Sequence, residues 1–152
     1  VIAFHALDSH YSRELRNKWW DDFSSELDRT VPLSSTAILL CDANAKVGSK
    51  TSDSIGEVGA DPENLNGFRF HQVLVNRKLF LPATFADSHS GEHRTFIHNT
   101  GSLHRIDYIA LPLARRKNKC THFVDDELDI TVHEHDHLPC ICEVDGSYEE
   151  SV

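Results

Sequence analysis

Apolar and polar positions divide the chain into short strand-like runs and two longer helical stretches. Val1 to Leu7 is a mostly apolar run with His5 near its end, and it reads as a buried strand. Leu15, Trp19, Phe23 and Leu27 recur every four residues. That spacing predicts an amphipathic helix over about residues 12–29, capped by Ser9 or Ser12. Pro32 and the Ser34-Ser35-Thr36 cluster end it. Ala37 to Cys41 is a second buried strand. Residues 42–66 are polar and rich in Gly, Ser, Asp and Asn, the composition of a long functional loop. A second helix is predicted over Phe68 to Lys78, with Asn66 or Gly67 at its start. Short strands follow at 79–81, 94–98 and 105–111, and a last one at 138–144. Two helices are too few for a doubly wound parallel sheet. The pattern predicts an α/β (α+β) domain with a mixed sheet and helices on an outer face.

Composition narrows the chemistry. The chain has 152 residues, enough for one domain with a real core, and no run approaches a membrane span. It holds no Met and opens directly on a strand, which suggests a portion of a longer chain. The formal net charge of −9 argues against a passive nucleic-acid-binding module, which would carry an excess of Lys and Arg. A metal-dependent phosphoesterase tolerates that balance, because its carboxylates hold cations and the cations meet phosphate. Cys41, Cys120, Cys140 and Cys142 lack zinc-ribbon spacing and read as reduced thiols. Arg115-Arg116-Lys117-Asn118-Lys119 is a basic run that reads as a solvated loop able to touch a nucleic-acid backbone.

Four short pieces carry candidate chemistry. Cys41-Asp42-Ala43-Asn44 sets a carboxylate and an amide two apart just past a buried strand, where side chains reach a cleft from rigid support; the same D-x-N is also an ordinary turn. Asp107 interrupts the apolar run of Arg105-Ile106-Asp107-Tyr108-Ile109, a costly place for a charge unless it is paired. It is either an edge-strand Asp or partner of Arg105, or an Asp that orients a histidine. Asp136-His137 immediately precedes the last strand, and His5 ends the first. A rival constellation is His133, His135, Asp136 and His137. This H-x-H-D-H is one residue short of the H-x-H-x-D-H of metallo-β-lactamase-like zinc hydrolases.

Taken in order, the four pieces resemble the endonuclease/exonuclease/phosphatase superfamily, the DNase I-like fold. Its pattern is a strand ending in His or Tyr, a helix, G-D-x-N, a further helix, an I-D-Y strand and a terminal S-D-H. The nearest likeness is to the endonuclease domains of LINE-type (non-LTR) retrotransposons. There "AILLCDANAKVGS" resembles G-D-F-N-A-x-V-G, and "LFLPATF" resembles L-x-x-x-N-T-x-F. Thr95-Phe96 stands where that family has T-W. The resemblance implies a partial four-layer α/β sandwich with mixed sheets and outer helices. Residues 1–145 would be its C-terminal portion, followed by a disordered tail over 146–152.

The resemblance also implies the site. Asp42 would align the attacking water and help hold a metal, with Asp136 as a further metal ligand. Asn44 would donate to a phosphate oxygen, and Thr95 and Arg105 would contact substrate. Asp107 would accept from a ring nitrogen of His137, which would meet the scissile phosphate, and His5 would assist the leaving oxygen. Hard oxygen ligands imply Mg²⁺, with Mn²⁺ as a substitute. The implied partner is nucleic acid, DNA before RNA, with no membrane. A reverse transcriptase region on the same parent chain and an intracellular, nuclear location go with it. Cys41 and His135 replace the Gly and Ser of the motifs. The family's metal-ligating Glu precedes the matched region, so the chain by itself is expected to be inactive. A non-catalytic relic and a zinc hydrolase stand as the alternatives.

Overall fold

The computed structural model describes residues 1–127 and 136–146. Its elements are β1 (Ile2–His5), α1 (Arg13–Thr30), β2 (Leu39–Asp42), α2 (Leu65–Asn76), β3 (Leu79–Phe80), β4 (Phe96–Ile97), β5 (Leu103–His104), β6 (Asp107–Pro112), β7 (Cys120–Val124) and β8 (Cys140–Val144). A four-stranded sheet runs β1-β2-β6-β3. β1 and β2 are parallel, and β6 is antiparallel to both β2 and β3. β4 and β5 form a small hairpin, and β7 pairs antiparallel with β8. The architecture is the mixed α/β fold with outer helices that the sequence implies.

Alternation along the strands decides what each face meets. Leu39 and Cys41 of β2 and Tyr108 and Ala110 of β6 turn to one side and pack with Trp20 and Leu27 of α1 and Phe70, Val73 and Leu74 of α2. Leu40, Asp42, Asp107 and Ile109 therefore point the other way, toward the layer that contains β7 and β8, where Phe80, Leu111 and Cys120 form a second cluster. Ser12 caps α1, its hydroxyl accepting from the Leu15 amide. The buried stripe of that helix differs from the expected one. Trp20 is 1% exposed and Leu15 is 52% exposed, so Trp20 takes the inner position and Trp19 only borders it.

α2 begins earlier than expected, because Asn64 is its cap and accepts from the Gly67 amide. Asn66 is instead drawn inside. Its amide nitrogen donates to the Leu7 and Ala43 carbonyls, and its oxygen accepts from the Trp20 indole. One buried side chain thus ties both helices to the segments that leave β1 and β2. Gly67 lies so close to the loop that a Cβ there would sit 2.0 Å from the Lys46 carbonyl oxygen. β5 and β7 are strands that the hydrophobic pattern does not predict. In β7 the inward positions are Cys120, His122 and Val124, and a histidine in the middle hides the alternation. The four cysteines are free.

Candidate active site

Register alone assembles the first part of the site. His5 pairs with Asp42 across β1 and β2, and Asp42 pairs with Asp107 across β2 and β6. The three side chains form one row on the face opposite the helices, because strands alternate and each lies in phase with the next. His5 Nε2 is 3.4 Å from Asp42 Oδ2.

Asp42 serves two purposes at once. Its Oδ1 accepts from the Asn44 amide at 3.0 Å, the ordinary Asx turn of a D-x-N sequence. Its Oδ2 is left facing the histidines. Asn44 occupies the left-handed region, at φ 47°, where Asn is tolerated. Its Nδ2 donates to the Ala6 carbonyl at 2.9 Å, which leaves one amide hydrogen for another acceptor.

The second part comes from the β4–β5 hairpin and the residues before β8. The Leu138 amide donates to the Thr95 carbonyl and the Ile97 amide to the Asp136 carbonyl, both at 2.7 Å, which fixes the stretch carrying His137 alongside β4. The Phe96 ring lies 4.9 Å from the His137 ring. His137 Nδ1 is 2.9 Å from Asp107 Oδ2. The same oxygen accepts from the Thr95 hydroxyl at 2.7 Å, and that hydroxyl accepts from the Ile106 and Asp107 amides. Burial raises the Asp107 pKa above the usual carboxylate range, the Thr95 hydrogen bond and the His137 ring pull it back, and Asp42 pushes it up again.

With Nδ1 held by Asp107, His137 turns Nε2 toward Asp42 Oδ2 at 3.9 Å and Asp136 Oδ1 at 4.0 Å. Asp42, Asp107 and His137 offer ligand atoms that all lie within 4.8 Å of one another. The donor set suits a divalent ion: two carboxylates and one ring nitrogen. Asp107 Oδ2 already carries two hydrogen bonds, while Asp42 Oδ2 and Asp136 Oδ1 both face His137 Nε2. Asp136 is the more exposed of the two.

Two residues expected to contact substrate, Arg105 and Thr95, are buried. Arg105 is 1% exposed, and its guanidinium donates to the carbonyls of Ala83, Val58 and Gly59, so it clamps two loops from inside. Thr95 is fully buried, and it positions Asp107 rather than facing the cleft. Asn66 and Phe96 are structural contributors to which the motif likeness assigns no role; Asn66 ties the segments after β1 and β2 to both helices, and Phe96 packs against the His137 ring. His133 and His135, the core of the zinc alternative, lie outside the described residues. Among the described residues no helix is long and apolar enough to cross a membrane.

No protein-family model matches the chain, and no curated protein does. Solved structures do. A 3'-5' exonuclease (NExo) of Neisseria meningitidis superposes with a TM-score of 0.66 at 18% identity, covering 95% of this chain and 61% of that one. An AP endonuclease of Archaeoglobus fulgidus gives 0.63 at 16% identity, covering 95% and 61%. A point variant of the 3' phosphatase NExo from Neisseria, bound to a product DNA hairpin, gives 0.61 at 19% identity, covering 88% and 54%. This chain therefore spans about three fifths of the length of the first of these structures. At these identities the likeness speaks for the fold, and the fold is DNase I-like.

Proposed function

We propose that this chain carries the Asp-His part of a metal-dependent phosphodiesterase site that cuts nucleic acid internally, with DNA as the favoured substrate. The observation that carries the reading is the in-register row His5, Asp42 and Asp107 with His137 held to Asp107 at 2.9 Å. Such a row supplies the parts that phosphodiester hydrolysis needs. Asp42 orients and deprotonates the attacking water. Asp107 fixes the tautomer of His137, whose Nε2 meets the scissile phosphate. Asn44 donates its remaining amide hydrogen to a phosphate oxygen, and His5 assists the leaving oxygen. Asp42 and Asp136 would hold Mg²⁺, or Mn²⁺ in its place, which supplies charge neutralisation at the phosphate. The fold likeness to an exonuclease, a DNA 3' phosphatase and an AP endonuclease supports nucleic acid as the substrate class.

The motif Asp42-Ala43-Asn44-Ala45-Lys46-Val47-Gly48 supports the narrower reading, a LINE-type nicking endonuclease with a reverse transcriptase region on its parent chain. The test is nicking of supercoiled plasmid by the full natural chain, with Mg²⁺ and with EDTA. Mg²⁺-dependent nicking that Asp42→Asn abolishes is expected. Cleavage that persists in EDTA, or in Asp42→Asn, would rule the reading out.

A further inference from the structure

Two of the four thiols are engaged with backbone. Cys41 Sγ donates to the Tyr108 carbonyl at 3.5 Å, on the helix side of the sheet, and Cys140 Sγ to the Asp107 carbonyl at 3.8 Å. The other two meet each other: Cys120 Sγ of β7 lies 3.3 Å from Cys142 Sγ of β8. That is closer than two sulfurs rest in ordinary van der Waals contact. We propose that Cys120 and Cys142 form a reversible disulfide that latches β8 to β7.

Register places the pair. Cys120 stands opposite Val144 and His122 opposite Cys142, so the two cysteines are diagonal neighbours on one face of an antiparallel ladder. Side chains on such a diagonal remain within reach of each other. Cys120 belongs to the buried cluster with Phe80 and Leu111, and Cys142 packs against it. A disulfide needs about 2 Å between its sulfurs, so closure takes an approach of about 1.3 Å from the present separation. Cys140 lies on the same face of β8, two residues before Cys142, yet its sulfur is turned to the Asp107 carbonyl.

The oxidant is a small hydroperoxide, ROOH. Cys142 is partly exposed and Cys120 is buried, so Cys142 meets the peroxide first. Its sulfur takes the terminal oxygen, the O–O bond breaks, and ROH leaves as Cys142 becomes a sulfenic acid. The Cys120 sulfur then attacks that sulfur, the S–O bond breaks, and the hydroxyl leaves with the Cys120 proton as water. Two electrons pass from the two thiols to one peroxide. Cys120 suits the second step. Burial raises its pKa, but the hydrogen bond with Cys142 and the Arg116 guanidinium draw it back down. Burial also raises the Cys142 thiol, and Cys120 raises it further. Both thiols are therefore protonated at neutral pH, and the pair oxidises slowly, under sustained peroxide. An external dithiol reverses the bond by exchange. β8 begins three residues after His137, so the latch holds the strand that follows the His137 stretch.

The experiment treats the reduced full natural chain with hydrogen peroxide under native conditions and caps the remaining thiols with N-ethylmaleimide. No Lys or Arg lies between Cys120 and Cys142, so an Asp-specific protease is used to separate them before mass spectrometry without reduction. A peptide pair joined through Cys120 and Cys142 is expected, and dithiothreitol should part it. Cys120→Ser and Cys142→Ser should each lose the joined pair, and Cys140→Ser should keep it. Oxidation should also raise the urea midpoint of wild type, because the bond closes a loop of about 20 residues, and Cys142→Ser should show no such rise. If a serine variant fails to fold, the wild-type peptide map and midpoint decide without it. A bond that forms only in the urea-unfolded chain, that joins Cys140 in place of Cys142, or that links two chains overturns the proposal. A joined pair that leaves the midpoint unchanged overturns the latch. No metal or turnover enters these measurements, so their failure leaves the hydrolytic reading to its own test.

Discussion

Acidification should loosen this fold through one buried histidine pair. His122 on β7 is fully buried, and its Nδ1 lies 3.0 Å from the Nδ1 of His89. One of the two nitrogens must donate and the other accept, so both rings cannot be protonated together. The Nε2 atoms of both rings are buried without partners, and a proton placed there would find no acceptor. Burial, then repulsion from His89 and the Arg105 guanidinium, pushes the His122 pKa down to about 4. His89 shifts the same way, from burial first and then from Arg105, with His93 adding to it. In the unfolded chain a histidine returns to about 6.5. Between these values falling pH protonates the unfolded chain and leaves the folded one neutral. Stability is therefore full above about pH 6.5 and is lost as pH falls toward about 4. The gap corresponds to about 3 kcal/mol for His122, most of which is gone by about pH 4.5. Against a domain stability of about 5–15 kcal/mol that is a large share. Urea unfolding of wild type and His122→Gln from about pH 7.5 to about 4.5 reads it directly, since the amide keeps a hydrogen bond to His89 and cannot titrate. Wild type should lose about 2 kcal/mol more than the variant. Parallel acid slopes for the two proteins would refute the argument.

Thr95→Val removes the hydroxyl that donates to Asp107 Oδ2, so nicking should fall about 10–100-fold while Thr95→Ser largely restores it. The same loss raises the Asp107 pKa further, which should move the acid limb of the pH–rate profile to higher pH. Arg105→Met strands the Ala83, Val58 and Gly59 carbonyls and should cost about 3 kcal/mol in a urea melt; a loss under about 1 would show that the clamp is dispensable.

What can be read from the chain is the part set by short-range pattern. The β1–α1–β2 order, the polar loop and the strand around Asp107 follow from periodicity and breakers. Asp42, Asp107 and His137 stand out because charges at strand ends need a reason, and the four pieces fall in a known order. Burial decides the remainder. The resemblance makes Arg105 a substrate contact, yet its guanidinium satisfies loop carbonyls from distant parts of the chain. Thr95 gives no sign that it sits under Asp107, since that contact spans a hairpin turn. A strict four-residue repeat favours Trp19, whereas packing against Phe4, Phe70 and Asn66 selects Trp20. β7 stays hidden because its inward His122 is polar.

Asp107 and His137 are expected to work as one unit against phosphate, and a double-mutant cycle on plasmid nicking measures their coupling. Ionised Asp107 is disfavoured by burial, so its contribution to stability falls as pH rises through its raised pKa, and Asp107→Asn should fold at least as stably at neutral pH. Asp107→Asn and His137→Gln should each slow Mg²⁺-dependent nicking by about 10²–10⁴-fold, and the double variant should be no more than about tenfold worse than the slower single. A His137→Gln protein that nicks at near wild-type rate, or a double variant whose loss equals the product of the two singles, would show that the pair does not act as one catalytic unit.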